Sequence, residues 1–420
     1  MRVLLVTDSF PPGCGGSGWS TYELARGLAG RGHTVEVVQP RPGTAGTHRR
    51  TYDGLTVEDV GAAAPDVPFV RNYFKNERLW ASLERVLSSR LREHPVDVVH
   101  AQHVLTTLPA VAAARAAGVP AVATVRDYWP VCYWSTLILD PSAEALCPAC
   151  TAANMTRCIR PRGGAGWPLA LPLIPYMRSN LRRKRRGLAA ADRVIAVSSV
   201  LAADLVQRTP ELDPARVVQI PNPVDVAGIR AAGAAPPAID GPYVLYSGKL
   251  EVNKGADLLM RAAAGARLRQ PLVVVGDGRL RPALEAEARE RGIQARFVGW
   301  LPREEALGWV RHAAALVFPS RGPESLSRVL LEAGALGVPI AAMDTGGTRD
   351  IVVHEQTGLL SSTTEALAAD LARLVADRAL ATRLGAGAQA HVQATFDQAS
   401  VIDRIVSLYG ELAATRRGAP

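Results

Sequence analysis

The apolar positions fall into short runs separated by stretches of helical spacing. Residues 3–6, 35–38, 96–99, 121–125 and 194–197 are mainly apolar, the pattern of strands buried on both faces. Between them, residues 21–29 place Leu24 and Leu28 on one helix face, and residues 79–91 are also helical in period. A second series starts at Tyr243, with strands predicted at 243–246, 271–275, 295–298, 315–318 and 339–342 and helices between. Strands alternating with helical lengths predict an α/β chain of two doubly wound, Rossmann-like domains. The stretch 221–242, rich in proline, glycine and alanine, is the expected hinge. The expected division is therefore 1–220, hinge 221–242, 243–395, and a C-terminal helix and tail over 396–420. Two such domains are expected to face a cleft, with the last helix, 398–414, crossing back to the first domain.

Composition narrows the function classes. A chain of 420 residues can form two cores. Its net charge of +9 suits an anionic partner. No helix-turn-helix, zinc-finger or RNA-reading aromatic motif accompanies that charge, so no nucleic-acid partner is expected. Five apolar residues precede Asp8, short of a signal-peptide core. The uncharged run 163–177 holds three prolines and is too short for a membrane-spanning helix. Five cysteines fit the cytosol better than a disulfide-stapled secreted protein.

Gly13, Gly15 and Gly18 spell G-x-G-x-x-G between a predicted strand and a predicted helix, and Glu36 follows 18 residues after Gly18. That pattern raises a nicotinamide-dependent oxidoreductase. In a dinucleotide fold, however, the first glycine turns directly out of the strand. Here Ser9, Phe10, Pro11 and Pro12 intervene, so a longer loop is expected. A second candidate, Gly276-Asp277-Gly278, has Arg281 where the third glycine belongs.

The second half carries more chemistry. Residues 325–335 read as a helix with Glu324 at its start and Glu332 eight residues on. Eight helical residues rise about 12 Å, enough to hold one ligand at both ends, a sugar at Glu324 and a ribose at Glu332. The helix N-terminus offers N–H donors and the positive end of its dipole to phosphates. Lys249 and Lys254, after the first strand of this half, could neutralise a leaving diphosphate. Glu324, Arg328 and Glu332 also fit an exposed ladder of ion pairs, and both lysines fit ordinary solvated positions.

Together these marks resemble a family 4 retaining glycosyltransferase of the GT-B fold, over nearly the whole chain. The N-terminal marks are Gly15-Gly16, Gly32-His33-Thr34-Val35 and Asp97-Val98-Val99-His100, with Pro221-Asn222-Pro223-Val224-Asp225 at the hinge. The C-terminal marks are Ser247-Gly248-Lys249-Leu250, Lys254-Gly255, Gly276-Asp277-Gly278, Glu324-x7-Glu332 and Gly346-Gly347. The Glu-x7-Glu pair with the two lysines is the specific part. The resemblance implies that Glu324 binds the donor sugar, Glu332 the ribose, and Lys249 and Lys254 the diphosphate. It implies further donor contacts from Gly15, Gly16, Gly248 and the backbone of Leu326, Ser327, Arg328 and Val329. It implies no metal requirement and front-face attack by the acceptor hydroxyl, with no protein nucleophile. The implied donor is a nucleoside-diphosphate sugar, and the acceptor a carbohydrate, a lipid-linked molecule or a natural product.

The chain departs from the family in places. Gln102 stands at the second histidine of the usual His-x-His, with His103 next, and Arg126 replaces the histidine of Thr-x-His-Asp. His103 and Asp127 are the expected catalytic-site residues of the first domain, with Glu324, Lys254 and Lys249 in the second. Ser325-Leu326-Ser327 replaces Gly-Phe-Gly.

Two features lie outside these motifs. Cys132, Cys147, Cys150 and Cys158 sit in an expected insertion near 132–158; one C-x2-C spacing suits a structural zinc, and free thiols are the alternative. Six basic residues fall within 178–186, from Arg178 to Arg186, after an apolar, proline-rich stretch. They fit a solvated helix face, or a contact with anionic lipid at about 1 kcal/mol per residue. A cytoplasmic enzyme, peripheral on the inner membrane face, accommodates both, as does a non-catalytic membrane-docking scaffold.

Overall fold

The computed structural model describes residues 1–65, 73–140, 146–232 and 237–417, without the side chains of Lys75, Asn76 and Arg417. The chain forms two compact units. The first comprises Met1–Ser135, Leu171–Pro223 and Gln398–Pro420; the second comprises Thr136–Ala170 and Val224–Asp397.

The sheet of the first unit contains β1 (Arg2–Val6), β2 (Thr34–Pro42), β3 (Thr47–Tyr52), β4 (Leu55–Ala62), β5 (Val98–Ala101), β6 (Ala121–Val125), β7 (Arg193–Ala196) and β8 (Val217–Gln219). Its order is β3-β4-β2-β1-β5-β6-β7-β8. All neighbours are parallel except β3 and β4. The central strands are buried along their length, which is why they read as continuous apolar runs.

The expected series lacks β3, β4 and β8. β3, Thr-His-Arg-Arg-Thr-Tyr, is polar and largely exposed at the sheet edge, so hydrophobic pattern does not mark it. Its turn is marked: Asp53 and Gly54 both have positive φ, as a two-residue hairpin requires. The first helix also differs. It spans Gly16–Gly30, five residues earlier than expected at its start, so half of the glycine loop is its first turn. Gly18 is glycine for local packing: a Cβ there would lie 2.6 Å from the Cys14 side chain.

The C-terminal helix Gln398–Arg417 packs on the first unit. Gln398 Nε2 donates to the Glu23 carbonyl at 2.6 Å, and Arg31 Nε lies 2.6 Å from Asp403 Oδ1. Tyr409, fully buried, pairs with Nδ1 of His100 on β5, and His100 Nε2 meets Thr124 Oγ1 at 2.7 Å. Burial, reinforced by the charge of Arg126, holds the His100 pKa well below the usual histidine value.

The second unit has one parallel sheet in the order β11-β10-β9-β12-β13-β14. Its strands are β9 (Val244–Ser247), β10 (Leu272–Val275), β11 (Ala295–Gly299), β12 (Ala315–Phe318), β13 (Ile340–Met343) and β14 (Leu359–Ser361), the last absent from the expected series. The expected hinge contains a short helix, Val226–Ala231, capped by Asp225, and the chain passes from one unit to the other at Pro223–Val224. The expected cysteine insertion splits at Ser135: beyond it the chain pairs with itself, Ile138 with Leu146, and adds no strand to the first sheet. No described helix is long and apolar enough to cross a membrane.

Tyr409→Phe leaves His100 Nδ1 buried without its partner. It is expected to lower unfolding free energy by about 1–3 kcal/mol in urea titration.

Candidate active site

In an open parallel sheet, ligands gather at the carboxyl ends of strands where the strand order reverses direction. In the first unit that point lies at β1 and β5; in the second, at β9 and β12. The candidate residues of each unit come from the loops at these points.

In the second unit the loop after β9 carries Lys249 and Lys254, and the loop after β12 carries Ser320 and Glu324. The two loops are pressed together. Gly255 has φ +63°, and a Cβ there would sit 1.7 Å from the Pro319 carbonyl oxygen. Only glycine fits both the left-handed backbone and that approach. Gly322 N donates to the Asn253 carbonyl at 2.8 Å, closing the contact. Lys254 Nζ then donates to Glu324 Oε1 at 2.8 Å and Oε2 at 3.0 Å. Ser320 Oγ donates to the same Oε1 at 2.6 Å. Glu324 is buried and Lys254 about one-third exposed, so the amine is the accessible half of the pair.

The expected helix over 325–335 starts later, at Arg328, and ends at Ala335. Ser327, its N-cap, is extended, and Glu324 stands in the preceding loop. The 12 Å helical span therefore does not apply. Serine favours loop and cap conformations over helix, which explains the later start. Glu324 is fixed instead by its neighbours and by Gly347 N, which donates to its carbonyl at 2.6 Å. Leu326 and Ser327 are buried; Arg328 and Val329, partly buried, supply first-turn N–H groups that lack intrahelical acceptors. Glu332 accepts from Arg328 Nε at 3.2 Å and lies 3.5 Å from Arg303 Nε. Lys249 is exposed. Gly248 N donates to the Val275 carbonyl, and Leu250 N to that of Asp277, both at 3.0 Å, so the Gly276-Asp277-Gly278 turn buttresses this loop.

In the first unit, His103 caps the helix Val104–Ala116 just past β5. Its Nδ1 lies 2.8 Å from Asp8 Oδ2, and its Nε2 3.2 Å from Asp127 Oδ2. Burial alone would lower its pKa, but Asp8 and Asp127 overcome this and raise it to about 10. His103 is thus an imidazolium at neutral pH, not a general base. Burial works to raise the Asp8 pKa, but the imidazolium wins and lowers it. Arg126 is buried, with Nε donating to Asn222 Oδ1 at 2.8 Å and Nη1 to the Gln102 carbonyl at 2.9 Å. Gly15 and Gly16 form the N-cap and first residue of the helix after β1. Glu36 pairs with Arg90 and Arg2, so it is a structural acid.

Asp8 and Ser320 are additional to the expected residues. Each stands two residues beyond the end of a central strand, the signal that marks them. Among the described residues, no three His, Cys, Asp or Glu side chains are placed to hold a metal. Cys132 belongs to the first unit and Cys147, Cys150 and Cys158 to the second. Cys147 and Cys158 donate to the carbonyls of Ala149 and Met155, each at 3.3 Å. The basic run also divides. Arg178, Arg182 and Arg186 are exposed, Arg183 pairs with Glu77, Arg185 Nε donates to the Pro130 carbonyl at 2.7 Å, and Lys184 is buried.

Known proteins share this organisation. The model described as Glycosyltransferase Family 4 matches residues 14–227, just over half the chain, and that described as Glycosyl transferases group 1 matches 234–391. The chain is similar to a D-inositol 3-phosphate glycosyltransferase of Jonesia denitrificans, 31% identical over 55% of this chain and 65% of that protein. It is similar to a glycogen synthase of Mycobacterium tuberculosis, 28% identical over 99% of this chain and 95% of that one. In fold it resembles HepE of Anabaena in complex with UDP-glucose, with a TM-score of 0.68 and 17% identity over 98% and 100% of the two chains.

The raised pKa of His103 sets a pH dependence. Its contribution to stability is complete below the ordinary value of 6.5 and is lost as pH climbs through about 10. Asp8→Asn should return the His103 titration, followed by imidazole NMR, toward 6.5.

Proposed function

Because the chain belongs to glycosyltransferase family 4, we propose that it is a retaining, metal-independent enzyme using a nucleoside-diphosphate sugar. The cluster of Lys254, Ser320 and Glu324 at the strand-order reversal of the second sheet carries this reading. Glu324, its orientation set by Ser320, accepts hydrogen bonds from donor-sugar hydroxyls. Lys254 and Lys249 offset the diphosphate charge, aided by Gly248 and the N–H groups of residues 326–329. Glu332 takes the ribose hydroxyls in exchange for part of its arginine pairing. The UDP-glucose bound by HepE supports a nucleotide-sugar donor.

The first unit supplies the acceptor side through Asp127 and His103. The acceptor hydroxyl attacks the anomeric carbon on the face from which the diphosphate departs. The sugar–phosphate bond breaks, the new glycosidic bond forms, and the acceptor proton passes to the departing phosphate oxygen. A His103 held protonated at neutral pH by Asp8 and Asp127 suits this course, since the imidazolium is a poor base. The acceptor is a carbohydrate, a lipid-linked molecule or a natural product. Exposed Arg178, Arg182 and Arg186, one turn apart on one helix, support contact with an anionic lipid surface from the cytoplasmic side.

Lys254→Ala is expected to slow transfer by about two to three orders of magnitude. Proton NMR of the product from a panel of nucleoside-diphosphate sugars should show the donor's anomeric configuration, with turnover surviving EDTA. Replacing Arg178, Arg182 and Arg186 together by glutamine should abolish flotation with phosphatidylglycerol vesicles.

A further inference from the structure

Of the 48 basic residues, four are lysines: Lys75, Lys184, Lys249 and Lys254. Arginine has taken nearly every position where a surface cation suffices. A compact ammonium differs from a guanidinium in size and donor geometry, so the two are not interchangeable at a binding site. Lys249 and Lys254 stand on the candidate donor loop. Lys184 stands alone in the first unit's helix Ile174–Ala189.

That helix turns Met177, Asn180, Leu181, Lys184 and Leu188 inward. Lys184 is 6% exposed and Asn180 3%. Among the described residues Lys184 has no hydrogen bond or ion pair; its amine lies over the Tyr133 ring, 5.5 Å from the centroid. Asp127 is its electrostatic neighbour but is committed elsewhere, Oδ2 to His103 and Oδ1 to the Trp129 amide at 2.8 Å. One turn before Lys184, Asn180 donates through Nδ2 to Glu77 at 2.7 Å, while its Oδ1 is buried without a donor. The helix is fixed against the segment that follows Asp127 by Arg185 and the Pro130 carbonyl.

Asn180 Oδ1 is a buried carbonyl oxygen without a donor, costly unless something completes it, and one turn away stands the amine of a buried lysine with no protein hydrogen bond among the described residues. The cation asks for an anionic oxygen and the carbonyl for a hydroxyl. We propose that Lys184 binds an anionic group, phosphate or carboxylate, of a hydroxyl-bearing acceptor beside Asp127, with Asn180 receiving one of its hydroxyls. The proposal rests on the first unit being the acceptor-binding half. Burial pulls the Lys184 pKa down while Asp127 opposes, so a bound anion would further favour the charged form. Tyr133 supplies a face for the cation, and exposed Arg178, Arg182 and Arg186 on the same helix favour anion approach.

The test is a proton–carbon NMR spectrum of full-length protein labelled only at lysine, with the Lys184 signal assigned by its loss in Lys184→Arg. Glycerol phosphate should shift that signal saturably, and glycerol at equal concentration should not. A shift with phosphatidylglycerol vesicles, absent with phosphatidylcholine, would place the anion on a lipid instead of a free acceptor. No shift with either phosphate source, or an equal shift with glycerol, overturns the proposal. Lys249 and Lys254 report separately in the same spectrum: if no nucleoside diphosphate moves them, the donor reading fails whatever Lys184 does.

Discussion

The approach of Gly255 to the Pro319 carbonyl is the constraint on which the second unit's chemistry depends. It joins loops that leave β9 and β12, strands adjacent in the sheet but about seventy residues apart in sequence. Once joined, Lys254 meets Glu324, and a carboxylate can be buried because an ammonium and the Ser320 hydroxyl satisfy it. A carboxylate buried without such partners would bind a proton or pull the loop open. A side chain at position 255 would separate the loops and remove both charges from place together.

The first unit solves the same problem with an imidazolium. His103 lies between Asp8 and Asp127, from the ends of β1 and β6, so three loops meet at one positive charge. Arg126 adds a second buried cation, tied to Asn222 and to the carbonyl preceding His103. Four charges of alternating sign compensate one another, and the histidine is held in a single charge state. Arg126, at the family's histidine position, thus braces the loop that presents His103.

The parallel sheets were legible because their strands are buried on both faces and leave apolar runs in the chain. The β3–β4 hairpin was not, since an edge strand with polar faces has no such signature; only Asp53-Gly54 points to it. Glu324, Lys254 and Glu332 were singled out by motif spacing, yet the helix supposed to connect the two glutamates begins after Ser327. The Lys254–Glu324 pair itself could not be read from local pattern, because sheet topology creates it. The basic run looked uniform in sequence, and only helix orientation separates exposed Arg178, Arg182 and Arg186 from inward Lys184.

On this reading the loop pair carrying Lys254 and Glu324 holds a nucleoside diphosphate without a metal. Isothermal titration with UDP, GDP, ADP, dTDP and NAD(P), in EDTA, against wild type and Lys254→Met tests it directly. One nucleoside diphosphate should bind wild type, and Lys254→Met should weaken it at least tenfold, about 1.4 kcal/mol. Binding of NAD(P) alone, or nucleoside-diphosphate binding untouched by Lys254→Met, would contradict it.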